Sequence, residues 1–199
     1  MHWGRKERLT VTITVFTLSM LLLLWAGWQW WSPVGSSASG NRPTSAASRV
    51  LSFSLPTADY TSEVPTMEIA AWGVIDPPDF EHAWWIKDRG VAPSSEATDT
   101  TYFACHTYSG KSFTVVPCND VTPEKVPVGS QVIVTTEAEE LTYTITQARK
   151  IPRNQLAEDK DVWDVNPGRL VWISCYLEGN LYSDYNFVVI AELDEHEAR

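Results

Sequence analysis

The sequence predicts an all-β domain, a closed β-barrel with short helices, preceded by an N-terminal transmembrane helix. Short runs rich in β-branched and aromatic residues are separated by turns such as Pro127-Val-Gly129 and Asn166-Pro-Gly168, a pattern typical of barrels and sandwiches. Beyond the N-terminal segment, no long stretch has the period of an amphipathic helix. With 44% hydrophobic residues, 10 Trp and only 20% charged residues, the 199-residue chain can build one packed domain of ordinary size.

The N-terminal segment is predicted to be a membrane anchor. The run from Leu9 to Trp31 carries no charged residue and ends in a cluster of tryptophans. About 20 apolar residues span the core of a bilayer, and Trp favours the membrane–water interface. The basic tail, residues 1–8, should stay cytoplasmic, so the C-terminal domain should be extracellular and the protein single-pass in the cell membrane. A cleaved secretory signal is the alternative, but its apolar region would be shorter.

The rest of the chain divides into a stalk, a domain and a tail. Residues 32–49 are rich in Ser, Gly, Ala and Pro, which predicts a flexible stalk. Residues 50–193 are predicted to form the barrel, and residues 194–199 an acidic tail. Short helices are predicted near Asp79–Ile86 and Arg153–Glu158. Strands are predicted at Val50–Leu55, Thr66–Val74, Thr100–His106, Gln131–Thr136, Leu141–Ala148, Arg169–Cys175 and Asn186–Leu193.

The formal net charge of −10 limits the partners of the exported domain. An acidic domain has no electrostatic reason to bind nucleic acid or an anionic lipid surface. His82, His106 and the nearby carboxylates do not follow the spacing of a recognised metal site, so no metal and no other cofactor is predicted. His82, Trp84 and Trp85 are interpreted as packing residues.

The chain has three cysteines, Cys105, Cys118 and Cys175, all on the exported side. An odd number outside the cell suggests one disulfide and one free thiol. A bridge between Cys105 and Cys118 would close a short loop and leave Cys175 free. Sequence does not determine the connectivity, and three reduced, buried cysteines remain the alternative.

Cys175 and His106 each stand where an apolar strand runs out into a polar loop. A nucleophile at such a position is held by the sheet and still reaches an open cleft. If the two strands end at the same rim, thiol and imidazole meet, and such a pair can transfer an acyl group through a thioester. The alternative is that His106 merely ends its strand as a polar residue.

Four motifs in order resemble the sortase family of cysteine transpeptidases. The segment Tyr102-Phe-Ala-Cys-His106 resembles the strand end with the family's histidine, and Val126–Val134 resembles its proline–glycine turn and following strand. Leu170-Val-Trp-Ile-Ser-Cys175 resembles the nucleophile motif, and Phe187–Leu193 the closing strand. The resemblance implies a sortase-like closed β-barrel over residues 50–193, nearest the actinobacterial class E and class F sortases.

The resemblance also implies a reaction. Cys175 would cleave an LPXTG-like sorting signal of a secreted protein, with His106 protonating the departing amine. An amino nucleophile, from a peptidoglycan precursor or a pilin of a Gram-positive cell, would then resolve the thioester. Membrane anchoring suits this work because substrate and acceptor are held at the same outer surface.

One feature departs from the family pattern. The resemblance implies an arginine just before the closing strand, where it would hold substrate and stabilise an oxyanion, but Tyr182–Phe187 contains none. Asn186 or Ser183 is the expected occupant, and an amide can donate to an oxyanion. Arg169 lies too far from Cys175 along an extended strand. Three further arginines could reach the site from other segments, namely Arg89, Arg149 and Arg153.

The missing arginine supports a second hypothesis, a catalytically impaired sortase-fold protein that acts as an extracytoplasmic binding module. The presence of both Cys175 and His106 argues against it, because a binding scaffold has no chemical need for the pair. A third hypothesis, another extracellular cysteine hydrolase or peptidoglycan peptidase, would usually place its cysteine before its histidine, which is not the order here.

Overall fold

The computed structural model describes residues 48–110, 116–179 and 181–194, with only the backbone of Trp72. The predicted basic tail and membrane anchor, nearly all of the stalk and all of the acidic tail except Asp194 lie outside these residues. Within them, no helix is both long enough and apolar enough to cross a membrane.

The described domain is one nine-stranded sheet with short helical segments. A single α-helical turn, α1 (Lys160–Trp163), and four 3-10 segments at Pro56–Ala58, Ala71–Gly73, Pro117–Asp120 and Leu156–Glu158 join the strands among the described residues. The strands are β1 (Val50–Leu55), β2 (Tyr60–Glu63), β3 (Thr66–Met67), β4 (Trp84–Gly90), β5 (Thr101–Cys105), β6 (Gln131–Thr136), β7 (Glu140–Pro152), β8 (Arg169–Glu178) and β9 (Leu181–Leu193).

The strands pair in the order β2-β1-β6-β7-β9-β8-β5-β4-β3, which leaves β2 and β3 at the two edges. The all-β prediction is therefore confirmed, but the sheet is a curled half-barrel rather than the predicted closed barrel. The link between the two edge strands explains the difference. It is only Val64-Pro65, and a proline has no N–H with which to continue a ladder between them.

Most predicted strands form, with β1 and β6 at the predicted bounds and β7, β8 and β9 longer than predicted. The predicted strand Thr66–Val74 is mostly wrong, because only Thr66–Met67 forms a strand and a 3-10 turn follows, closed by an isolated bridge between Ala70 and Val74. β2 was not predicted at all. Near Arg153–Glu158 only a 3-10 turn forms, over its second half.

The helix predicted at Asp79–Ile86 is wrong, because a turn followed by β4 occupies this segment. The carboxylate of Asp79 accepts the backbone N–H groups of Glu81 and His82, as at a helix start. The next residues instead alternate, with Trp85 in one core cluster and Ile86 in the other. A two-residue period across two apolar faces favours a strand.

The sheet buries one hydrophobic cluster on each face. One cluster includes Phe53, Phe103, Tyr143 and Trp172. The other covers what we call the site face, defined by the buried residues Met67, Ile86, Tyr102, Ala104, Ile151, Val162, Val171, Ile173, Val188 and Ile190.

The backbone of Gly90, where β4 ends, has a positive φ of 66° and lies tightly against Thr100. A Cβ at Gly90 would collide with the Thr100 carbonyl oxygen. Gly129 also has a positive φ, 88°, but a Cβ there meets nothing within 4 Å.

We expect Gly129→Ala to lower the free energy of unfolding by about 1–2 kcal/mol from the left-handed backbone alone. Gly90→Ala should cost about 2–5 kcal/mol because overpacking adds to it. Urea unfolding of both variants checks this, and equal losses would contradict the collision.

Candidate active site

The parallel pairing of β5 with β8 brings two distant strand ends together. The ladder runs from Thr101↔Leu170 to Cys105↔Ser174, so the next residues of the two strands are His106 and Cys175. Neighbouring strands lie about 4.8 Å apart. The structure thus places the two residues that the sequence singled out side by side at one end of the sheet.

His106 and Cys175 both line a pocket of about 320 Å³ at this end of the site face. The two-residue period of a strand explains why. Counting back in steps of two, His106 follows Ala104 and Tyr102, and Cys175 follows Ile173, all buried on the site face. Each reactive residue is therefore the first position beyond the buried face. The pocket is lined by Gly73, Ile75, Pro77, Ala104, Cys105, His106, Arg153, Leu156, Ala157, Trp163, Ile173, Ser174, Cys175 and Asn186.

His106 is held by groups from the loop before β4. Its Nε2 lies 3.3 Å from Oδ1 of Asp76, and its side chain is 23% exposed. The ring of Phe80 stacks on the imidazole, with centroids 4.7 Å apart and planes 27° apart. The same loop supplies three lining residues, including Pro77. A carboxylate and an aromatic face thus orient the imidazole while leaving part of it open to solvent.

Cys175 is the free thiol of the described chain and is half-buried. Directly after it the pairing of β8 with β9 shifts register, and a bulge forms in β9, where residues 183–185 stand opposite the single residue Tyr176. Ser183 Oγ donates a hydrogen bond to the Tyr176 carbonyl over 2.9 Å and so gives this carbonyl a partner beside the bulge. Bulges often lie beside active sites, where they re-aim a side chain. Ser183 is engaged in this hydrogen bond. Of the two residues expected in place of the arginine, Asn186 therefore remains as the candidate.

Asn186 lies directly opposite Cys175 in the antiparallel β8–β9 ladder and lines the same pocket. On its other side it pairs with Ile151 of β7. Two residues beyond Ile151, the backbone N–H of Arg153 bonds to the Asp184 carbonyl over 2.9 Å. Arg153 also lines the pocket, so an arginine lies at the site just past the end of β7 rather than in β9.

The other arginines are engaged elsewhere. Arg149 forms two hydrogen bonds to Asp159, of 2.7 and 2.8 Å, which hold the pKa of that carboxyl below its usual range. Arg89 lies over the ring of Trp163, 4.9 Å from its centroid. Arg169 is buried at the opposite end of β8 and donates to the Thr100 hydroxyl. Among the described lining residues, Arg153 is therefore the only arginine or lysine.

A disulfide joins Cys105 to Cys118, with Cα atoms 6.3 Å apart. It ties the residue before His106 to the 3-10 turn Pro117–Asp120. Asn119 of that turn reinforces the tie, because its side chain both donates to and accepts from the backbone of Tyr108 at 2.9 Å. The strand end that carries His106 is thus fastened on both sides of the histidine.

His82 lies in a different pocket, with Asp79 and Trp84. Its Nδ1 is 2.8 Å from Oδ2 of Asp79. Burial would raise the pKa of Asp79, but the hydrogen bonds from His82 and from neighbouring N–H groups outweigh it and lower that pKa. Within the described ranges no group of three or more His, Cys, Asp or Glu side chains could hold a metal ion.

Sequence reasoning missed three residues of the site, Asp76, Phe80 and Thr107. The segment Asp76-Pro-Pro-Asp79 has the composition of a turn, and nothing in its spacing indicates that it reaches His106. Thr107 Oγ1 donates to the carbonyl oxygen of Cys175 over 3.0 Å. The position of Thr107 directly after the histidine was the one signal that could have indicated a role.

Solved structures of sortases are similar to this domain. A lid mutant of sortase A from Corynebacterium diphtheriae has a TM-score of 0.54 and 19% identity, covering 78% of this chain and 76% of that one. Sortase A from Listeria monocytogenes has a TM-score of 0.50 and 19% identity, covering 75% and 88%. Sortase C-1 from Actinomyces oris has a TM-score of 0.54 and 16% identity, covering 73% of each chain.

No protein-family model matches the sequence, and neither does any curated protein. The likeness at these identities establishes the fold alone: the described domain has the sortase fold, as the four motifs led us to expect. These structural neighbours are sortases of the A and C types.

The disulfide should contribute measurably to stability. It closes a loop with a sequence separation of 13, for which loop entropy predicts about 3 kcal/mol. We expect a phosphine reductant to lower the free energy of unfolding by roughly that amount, as measured by urea unfolding in a Cys175→Ala background. The control, Cys105→Ala with Cys118→Ala in the same background, should not respond to the reductant. Equal stability with and without reductant would contradict the role.

Proposed function

We propose that this chain is a membrane-anchored sortase-type cysteine transpeptidase that acts outside the cell. One observation carries the proposal: His106 and Cys175 directly follow the last pair of the parallel β5–β8 ladder and line one pocket. A thiol beside an imidazole is the basic equipment for acyl transfer through a thioester. The sortase fold and the order of the sequence motifs support the same assignment.

Cys175 acts as the nucleophile in this proposal. Its thiol proton passes to His106, and Sγ adds to the backbone carbonyl carbon of the bound peptide. The C–N bond then breaks, and the departing amine takes its proton from the imidazole. The products of this half-reaction are a thioester on Cys175 and a free amine. An acceptor amine later attacks the thioester, gives a proton to His106 and releases the thiol.

Asp76 acts as the orienting group for His106. Its carboxylate lies 3.3 Å from Nε2, where it attracts a ring N–H and so orients the imidazole. Asp76 is 68% exposed, so solvent screens this attraction. The stack of Phe80 on the ring restricts its rotation and adds directional control.

Arg153 and Asn186 stabilise the oxyanion. Asn186 faces Cys175 across the ladder and offers a neutral amide N–H donor. Arg153 brings the positive charge that the sequence lacks before the closing strand. Hydrogen bonds from a charged donor are roughly twice as strong as neutral ones. We therefore assign the larger share of the stabilisation to Arg153.

The walls of the pocket support a peptide substrate with apolar side chains. Leu156, Trp163 and Ile173 line one side of it, and Pro77 comes from the loop before β4. An apolar groove that leads to a nucleophile suits an extended peptide such as an LPXTG-like sorting signal. The acceptor would be a peptidoglycan precursor or a pilin amine in a Gram-positive cell. Assignment to the class E or class F sortases rests on the sequence motifs.

Residues 9–31 would anchor the domain in the membrane as a single helix, with residues 1–8 inside and the domain outside. The disulfide between Cys105 and Cys118 supports this location, because disulfides persist in oxidising compartments. No nucleic-acid partner is proposed.

The competing function is a sortase-fold binding module without catalysis. The observation that favours it is that a neutral residue, Asn186, faces Cys175 in the β9 ladder. It would bind the same sorting peptide in the same pocket without forming a thioester.

We expect the extracytoplasmic domain to form a covalent adduct on Cys175 when it is incubated with a panel of sorting-signal peptides. Intact-protein mass spectrometry should detect a thioester that hydroxylamine removes, and Cys175→Ala should form none. His106→Ala should lower the rate of adduct formation about 10²–10⁴-fold, because it removes the general acid–base. Peptide binding without any adduct on the wild-type domain would support the binding module instead.

We expect Arg153→Ala to lower kcat/KM for peptide cleavage about 10²–10³-fold, the usual loss for one oxyanion donor. Asn186→Ala should cost less because its bond is neutral. Arg153→Lys keeps the positive charge but loses the planar fork of donors. Its kcat/KM should therefore lie between the values of the wild type and Arg153→Ala. Arg49→Ala is the matched control, since Arg49 is 71% exposed and pairs with Glu137 away from this pocket. Wild-type kinetics in Arg153→Ala would remove Arg153 from the mechanism.

A further inference from the structure

The link between the two reactive strand ends is a side-chain hydrogen bond. Backbone pairing of β5 with β8 ends at Cys105↔Ser174. Beyond that point the chain of His106 leaves the sheet. Thr107 Oγ1 donates to the carbonyl oxygen of Cys175 over 3.0 Å. This bond joins the residue after the histidine to the nucleophile itself.

The hydroxyl occupies the place of a missing ladder donor. In the register of this ladder, residue 107 would stand opposite residue 176. In a parallel ladder a strand's N–H bonds to the carbonyl of the residue before its opposite partner, which here is Cys175. The Thr107 hydroxyl reaches that carbonyl instead. The Cys175 carbonyl is therefore satisfied although the backbone of β5 no longer pairs.

Thr107 is itself fixed in place. It is 5% exposed, and its carbonyl accepts the hydroxyl of Tyr182 over 3.4 Å. Tyr182 belongs to β9, so one residue connects the histidine loop to β8 through its side chain and to β9 through its backbone. The register shift between β8 and β9 begins immediately after Cys175, where residues 183–185 of β9 bulge opposite Tyr176, so the ladder restrains the chain least at this carbonyl.

We infer that Thr107 is a positioning residue, whose hydroxyl sets the distance between the His106 imidazole and the Cys175 thiol. Its hydroxyl bonds to the Cys175 carbonyl and so acts through the backbone of that residue. The kinetic part of this inference rests on the proposed function. A misplacement of about 1 Å between reacting groups can cost about 10²-fold in rate, so one hydrogen bond at this point has a large effect.

Three variants test the inference. Thr107→Val removes the hydroxyl and keeps the shape, whereas Thr107→Ser keeps the hydroxyl. The matched control is Thr101→Val, at the other end of β5. Thr101 is also buried, and its Oγ1 donates to the Val91 carbonyl over 3.1 Å. Both Val variants lose one buried hydroxyl bond, so comparable free energies of unfolding would show that general destabilisation does not explain a difference in reactivity.

The first measurement is the rate of Cys175 alkylation by iodoacetamide across pH 5–9, which needs no peptide. We expect Thr107→Val to react about tenfold or more slowly at neutral pH, because a displaced imidazole no longer takes the thiol's proton. Thr107→Ser and Thr101→Val should keep the wild-type profile. With a cleaved peptide, Thr107→Val should lower kcat about 10–100-fold and leave KM within about threefold, since the pocket walls are unchanged.

The outcomes separate this inference from the proposed function. Wild-type alkylation and kcat in Thr107→Val, or equal losses in Thr107→Val and Thr101→Val, would overturn the positioning role. A loss in Thr107→Val that Thr107→Ser does not share supports it. If the wild type cleaves no peptide but the alkylation profiles still differ in this way, the transpeptidase proposal fails while the role of Thr107 stands.

Discussion

The parallel pairing of β5 with β8 is the constraint on which the site depends. Thr107 and Cys175 are 68 residues apart in sequence, yet the ladder from Thr101↔Leu170 to Cys105↔Ser174 makes their strand ends neighbours. The residues that follow the last pair of a parallel ladder lie at the same end of both strands, so His106, just past β5, and Cys175, within β8, are neighbours there. If the same two strands paired antiparallel, His106 and Cys175 would lie at opposite ends of the strand pair.

The two-residue period of strands then places both reactive residues on the same side of the sheet as the buried site face. The alternation that buries Ala104 and Ile173 on the site face also directs the residues two positions further along the chain to the same side. These residues are His106 and Cys175. Burial therefore does two things at once. It stabilises the sheet, and it holds the backbone of both reactive residues rigid up to their own positions. The disulfide from Cys105 adds a further restraint at the last pair of the ladder.

The sequence was sufficient for the parts that depend on local pattern. Alternation and turn residues fixed the bounds of β1 and β6, and the strand ends pointed to His106 and Cys175. It was insufficient where tertiary contacts decide. Asp79 caps its neighbours as a helix start would, yet two-faced burial of Trp85 and Ile86 makes a strand. The approach of the Asp76 loop to His106 depends on the path of a loop with no repeating pattern. The choice of Arg153 among several arginines depends on strand order, which no single strand's sequence contains.

Strand order also explains how a site can lack the expected arginine and keep a cation. In the order β7-β9-β8-β5, Cys175 stands between His106 on one side and Asn186 and then Arg153 on the other. In the proposed reaction, a negative charge at the thiol or at the attacked carbonyl would form between the imidazole that follows β5 and the arginine that follows β7. An arginine at the end of β7 starts about one strand spacing, 4.8 Å, further from β8 than an arginine in β9 would. A long and flexible arginine side chain can span this extra distance. Stabilising an oxyanion requires donors aimed at the carbonyl and does not prescribe the strand from which they come, because the stabilisation depends on where the donors lie and how they are oriented.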